Sequence, residues 1–202
     1  EKVKIEKQIQ AIRAVVPTFD NDPMTEKQIV KADGGELEFY PAKANGQLVG
    51  TAIKTFTNNG FGGLIELMIG FTPDGSIYNY SVLSHKETPG LGSKMDSWFV
   101  KGAKGDITGK TPGTQGLQVS KDGGNVDAIT AATISSRAFL DAVNRAAKAL
   151  AESARYQTKV EQSKKQRYEQ LANFYQRVLQ RKSNLRTPAR DVPHAGSYHL
   201  CH

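Results

Sequence analysis

A chain of 202 residues has room for one domain, or for one domain with an extension. With 38% hydrophobic residues, a mean hydropathy of -0.48 and no apolar run of about eighteen residues, nothing in it spans a membrane by itself, and Glu1-Lys2-Val3-Lys4 lacks the apolar region of a secretory signal. The formal net charge of +7 is unevenly placed: 17 Lys and Arg face 16 Asp and Glu through Leu150, and 10 face 4 from Ala151 onward. A basic C-terminal part suits nucleic acid or anionic lipid headgroups in principle. It carries no nucleic-acid motif and reads as a solvated helix, so no nucleic-acid partner is expected. Cys201 is the only cysteine, which excludes an internal disulfide. It lies near His194, His199 and His202, in a tail without the rigid four-ligand frame of a zinc site, so no metal is expected.

Glu1 to Val16 reads as a helix, with Val3, Ile5, Ile9, Ile12 and Val16 on one side and Pro17 as its stop. Asp20-Asn21-Asp22-Pro23 is a turn. Glu36–Ala42 and Gln47–Phe56 read as strands joined at Asn45-Gly46. Asn58 to Gly63 reads as a Gly-rich loop; it lacks the spacing of a dinucleotide-binding turn and no helix follows it. Leu64–Phe71 is the most buried-looking strand, and Pro73-Asp74-Gly75 turns the chain into Ile77–Leu83. Tight turns between successive strands argue for antiparallel pairing.

Met95, Trp98, Phe99 and Val100 suggest a short helix on the sheet, with Trp98 in the core. Gly105 to Thr111 looks like a P-loop but has three residues between its glycines, and Pro112-Gly113 prevents a following helix. Leu117, Val119 and Lys121 suggest a last strand. Phe139, Val143, Ala146, Ala147, Leu150 and Ala154 mark a helix, and a second is expected from Gln162 to Gln180. In the second, Tyr168, Leu171, Tyr175 and Val178 form a narrow stripe, with Phe174 and Leu179 beside it. Such a stripe suits folding back on the domain or binding a partner helix. Ser183 to His202, with Pro188, Pro193, Gly196 and few apolar residues, reads as disordered. The expected fold is α+β: an antiparallel sheet flanked by helices over 1–150, then a basic helical extension and tail over 151–202.

Two stretches carry chemistry. Asp127-Ala128-Ile129-Thr130-Ala131-Ala132-Thr133-Ile134-Ser135-Ser136 runs into a helical pattern. Hydroxyls there can cap the helix start. The same place suits an anion, because free N–H groups and the helix dipole point at it and small side chains let a phosphate approach. Thr133 would then present its hydroxyl to the phosphate. The other stretch, His85-Lys86-Glu87-Thr88-Pro89-Gly90-Leu91-Gly92, is a turn-rich loop that alone reads as a Pro-Gly turn with a surface Glu.

Together, and with Lys121-Asp122-Gly123-Gly124 ahead of the former, these stretches resemble the covalent FMN-binding domain family. The wording is closest to the G subunit of Rnf electron-transport complexes, a relative of the C subunit of Na⁺-translocating NADH:quinone oxidoreductases. The family's motif reads roughly Asp-x-Ser/Thr-Gly-Ala-Thr-x-Ser/Thr-Ser, and Asp127, Thr130, Ala132, Thr133, Ser135 and Ser136 fall on it. Ala131 departs, standing where the family usually has Gly; a positive φ there would penalise it. The resemblance runs from about Ile9 to Leu150.

The resemblance implies FMN bonded through its phosphate to Thr133 by a separate flavin transferase that uses FAD and Mg²⁺. Asp127 and Thr130 would present the hydroxyl or hold the phosphate, with Ala131 and Ala132 in the same turn. Glu87, Thr88, Gly90, Leu91 and Gly92 would lie along the ribityl chain or the ring edge, the two glycines offering N–H groups, Thr88 a hydroxyl and Glu87 a charge that tunes the potential. Lys86 and Lys121 would be phosphate or flavin partners. The implied role is that of an electron carrier in a membrane-bound ion-translocating ferredoxin:NAD oxidoreductase, rather than a self-contained enzyme. The domain would sit on the extracytoplasmic side, partnered by the other membrane subunits and tethered by a helix ahead of Glu1. Competing readings are a flavin-carrying domain of another extracytoplasmic reductase, of fumarate type, and a non-redox binding module that uses the basic C-terminal helix.

Overall fold

The computed structural model describes residues 2–32 and 34–184. Five strands form one sheet in the order β1 (Gln28–Ala32), β2 (Gly35–Ala44), β3 (Gln47–Gly60), β4 (Gly63–Phe71), β5 (Ile77–Ser84), every neighbouring pair antiparallel. Helix α1 (Lys2–Val15) covers one face and the first turns of α3 (Thr133–Asn184) cover the other, so the fold is α+β as expected.

Period-two alternation explains the two layers. On β4, Ile65, Leu67, Ile69 and Phe71 join the core under α3 with Phe139, Val143 and Ala146. The alternate Met68 joins Ala11, Ile12, Val15 and Tyr40 under α1. Gly70 on the α1 face is there for space: a Cβ would stand 1.5 Å from the carbonyl oxygen of Val15. Polar groups set the seat of α3. Thr55 Oγ1 donates to the Ala142 carbonyl at 3.0 Å, and Thr57 Oγ1 donates to Asp141 Oδ2 at 2.7 Å.

The structure departs from the sequence reading in four places. β1 was not expected; its exposed residues and single turn-poor run carry little strand signal, and pairing with β2 creates it. Asn58, Asn59 and Gly60 are not loop but the end of β3, which bulges and then pairs Gly60 with Gly63. The last strand does not form. Val119 makes an isolated bridge to Val126, and Ser120–Asp122 is a short 3-10 turn. The two expected C-terminal helices are one, because no Gly or Pro interrupts the sequence between Thr133 and Asn184.

The P-loop look-alike is a loop that covers the sheet edge. Gly109 N–H donates to the Ile77 carbonyl at 2.7 Å, and Ile77 N–H to the Lys110 carbonyl at 3.0 Å. After the Glu87–Gly92 loop come a 3-10 turn (Gly92–Lys94) and the short α2 (Met95–Trp98). The chain divides into two units between Arg155 and Tyr156. The tail from Leu185 onward, with Cys201 and its neighbouring histidines, lies outside the described residues.

Candidate functional site

The head of α3 is built by a tight turn. Ala132 N–H donates to the Ile129 carbonyl at 3.0 Å, leaving Thr130 and Ala131 exposed at the turn's two middle positions. Ala131 has φ +59°, the left-handed region that favours glycine. The residue that departs from the motif is therefore held in a costly conformation. Buried Ser136 stitches the turn to the helix: its hydroxyl accepts from Ile129 N–H at 2.9 Å and donates to the Ala132 carbonyl at 3.0 Å.

Thr133 is the first helical residue and is half-buried. The cap expected from a hydroxyl falls instead on Ala132, whose methyl cannot accept a hydrogen bond. The first-turn N–H groups gain no side-chain cap from that position, which suits an anion. Lys121 Nζ donates to Thr133 Oγ1 at 3.3 Å. Lys121 rides on the Ser120–Asp122 turn, and Arg137, one helical turn beyond Thr133, grips that turn by two bonds. Arg137 Nε reaches Asp122 Oδ2 at 2.7 Å, and Nη2 reaches Oδ1 at 2.6 Å. The guanidinium holds the Asp122 carboxyl below its usual range.

Asp127 supports the loop rather than touching Thr133. Its Oδ1 accepts from Ser120 Oγ at 2.9 Å, and its carbonyl accepts from Trp98 Nε1 at 2.9 Å. Trp98, expected in the core, is instead half-buried at its edge, where its indole carries this bond.

The second motif meets the first at Glu87. This side chain is buried, its Oε2 accepting from Ser135 Oγ and its Oε1 from Gly62 N–H at 2.8 Å. Gly92 is buried beside it: a Cβ there would stand 2.5 Å from Ser135 Oγ and 2.7 Å from Glu87 Oε2. The surface Glu of a simple Pro-Gly turn is thus replaced by a buried brace linking the β3–β4 turn, the loop and α3. Gly90 takes φ +74°, and its N–H is engaged by Ser93 Oγ at 2.9 Å rather than pointing to a ligand. Thr88 and Leu91 are exposed on the rim, and the Thr88 carbonyl accepts from Leu91 N–H at 3.1 Å. Lys86 is exposed too. Ser135, Arg137, Asp122, Trp98 and Gly62 were not among the predicted site residues. Arg137, four residues after Thr133, was the one with a periodic signal.

Phosphate chemistry fits this place. A helix head with a methyl in the cap position stands next to a half-buried threonine hydroxyl and an ammonium group. Exposed Leu91 and Ile134, each adjacent in sequence to the Gly92–Ser135 contact, offer apolar surface to a ring system. Residues 60–148 match the family described as FMN-binding domain, so fold and site define a domain of that class.

The chain is 40% identical over 144 residues to the G subunit of the ion-translocating oxidoreductase complex of Stutzerimonas stutzeri, covering 68% of this chain and 62% of that protein. Against the G subunit of the Cereibacter sphaeroides complex it is 34% identical over 144 residues, covering 68% and 64%. Against that of Vibrio atlanticus it is 34% identical over 159 residues, covering 72% and 75%. The chain belongs to this family of G subunits. It spans less than two thirds of the length of the first two relatives.

Two outcomes are expected of this geometry. Ala131→Gly relieves the left-handed strain, partly offset by a freer unfolded chain, and should raise stability by about 0.5–1 kcal/mol in chemical denaturation. An unchanged or lower midpoint would mean that the turn carries no strain. Since the Asp122 carboxyl is lowered in the folded state, the Arg137 clamp stabilises fully above the ordinary carboxylate pKa and fades as pH falls through the lowered value. Arg137→Gln should therefore lower the melting temperature near neutral pH, with the gap to the parent closing in acid. A gap of constant size would assign the loss to packing instead.

Proposed function

We propose that this chain is the electron-carrying flavoprotein domain of a membrane-bound ion-translocating oxidoreductase, with FMN held through a phosphoester at Thr133. The observation that carries this reading is the Thr133 hydroxyl at the head of α3 with Lys121 Nζ 3.3 Å from it. In maturation by a flavin transferase, the Thr133 hydroxyl would take the FMN phosphoryl group from FAD, forming one P–O bond as the bond to AMP breaks, with AMP leaving and the hydroxyl proton released. Lys121 then offsets the charge of the phosphodiester, with help from the positive end of the α3 dipole. Asp122 and Arg137 keep Lys121 in place, and Glu87 keeps the Thr88–Gly92 loop against the same helix turn.

When bound, FMN supplies reversible electron storage, and the protein's part is to hold and expose it. The exposed rim of Thr88, Leu91, Thr130 and Ile134 lets neighbouring redox subunits approach. The same reading gives the chain the other members of the complex as partners, an N-terminal membrane tether, an extracytoplasmic position and a division into a flavin domain over 1–150 and an extension over 151–202. None of the described helices is long and apolar enough to cross a membrane.

Production of the chain together with a flavin transferase tests the reading. The parent should show flavin fluorescence that survives denaturing electrophoresis and a visible spectrum that dithionite bleaches and air restores. Thr133→Ala should fold and lose the fluorescence. Lys121→Ala should keep the site and lower the yield by about tenfold. A parent chain without flavin beside an active transferase, or a Thr133→Ala chain that keeps it, would contradict the proposal.

A further inference from the structure

The distal part of α3 presents an apolar face to solvent. Tyr168, Leu171, Phe174, Tyr175 and Leu179 are each exposed by half or more, between 50% and 72%. Tyr168, Leu171, Tyr175 and Val178 recur at helical spacing, which gathers them on one side, with Phe174 and Leu179 at its edges. In sequence, Tyr156 to Asn184 holds seven Lys and Arg against two Glu. One of those glutamates, Glu161, is bonded by Lys164 at 3.0 Å.

The charge is arranged as well as abundant. At about 100° per residue, Lys165 falls on one side of the apolar arc, and Lys159 and Arg177 fall on the other. Lys164 and Arg167 lie within the arc, where long stems can pack along apolar surface and lift their charges out of it. Aromatic and aliphatic side chains between basic flanks, with many polar residues opposite, are the pattern of a helix that lies in the plane of a membrane interface. The like charge disfavours pairing with a second copy of the same helix.

We infer that residues 156–180 form an amphipathic helix that docks on an anionic lipid surface, its aromatic stripe entering the headgroup region and Lys159, Lys164, Lys165, Arg167 and Arg177 pairing with lipid phosphates. The flavin site is not involved, so the inference stands or falls independently of the function proposed above. Binding of this kind scales with buried apolar area plus attraction to anionic headgroups. It should weaken with salt without vanishing, because the apolar part is not screened.

The test uses the full chain and sedimented vesicles of phosphatidylcholine, alone or with about one third phosphatidylglycerol. The full chain should bind the mixed vesicles at least about tenfold more tightly than the neutral ones. A Leu171→Gln, Phe174→Gln, Tyr175→Gln variant keeps every charge and substitutes only exposed positions. It should retain its helical circular dichroism and lose binding by about tenfold or more. No binding to the mixed vesicles, or equal binding by the variant, would overturn the inference. So would a full chain that sediments in solution as a dimer while the variant is monomeric, since a second copy would then cover the stripe.

Discussion

The buried carboxylate of Glu87 is the contact on which the site depends. It receives the Ser135 hydroxyl from the first turn of α3 and the Gly62 N–H from the β3–β4 turn, and its backbone begins the Thr88–Gly92 loop. Three chain segments distant in sequence thus converge on two oxygens. Hydrogen bonds to a charged group are worth about 1.5–3 kcal/mol each, whereas a buried carboxylate left unpaired is strongly destabilising. The loop and the helix head are therefore held as a unit. Gly60, Gly62 and Gly92 are small because the brace leaves no room: a Cβ on Gly62 would stand 2.0 Å from the Lys86 carbonyl oxygen.

Around that brace the fold supplies a fixed frame. The sheet is covered on both faces, and Thr55 and Thr57 tie α3 to β3 near the middle of its packed half. With the helix axis set, the position of Thr133 follows from where the Ile129–Ala132 turn delivers the chain. Two separate ion-pair and hydrogen-bond systems then address that residue's surroundings: Glu87 from beneath, and Asp122–Arg137 from the side that carries Lys121. The rest of the rim, with Thr88, Leu91, Thr130 and Ile134, is exposed.

Much of this was legible in the residues. The nearly continuous apolar run of Leu64–Phe71 and the strand-like Ile77–Leu83, with Pro-Asp-Gly turning the chain between them, placed β4 and β5 within a residue or so of their ends. The two motifs placed the helix head and its neighbouring loop. β1 was missed because an exposed edge strand has no burial pattern to show, and Leu117–Lys121 was misread because short apolar runs do not distinguish a strand from a bridge and a 3-10 turn. The union of the two C-terminal helices was hidden by the polar stretch after Ala154, which lacks periodicity yet contains no helix breaker.

Side-chain partnership was the least legible layer. Nothing local says that Glu87 is buried, that Asp127 faces Ser120 rather than Thr133, or that Gly90 spends its N–H on Ser93. Those pairings are between residues far apart or on irregular backbone, where periodicity carries no information. Ala131 is the exception. A missing glycine in a motif is a local signal, and its φ of +59° is the conformation that glycine serves.

If the two motifs make one site, Thr133 is its attachment point. Fragmentation mass spectrometry of the chain matured with a flavin transferase tests it most directly. A single FMN phosphoryl adduct is expected on the peptide containing the helix head, with fragment ions placing it on Thr133. An adduct on Thr130, on Ser135 or outside this turn would contradict it.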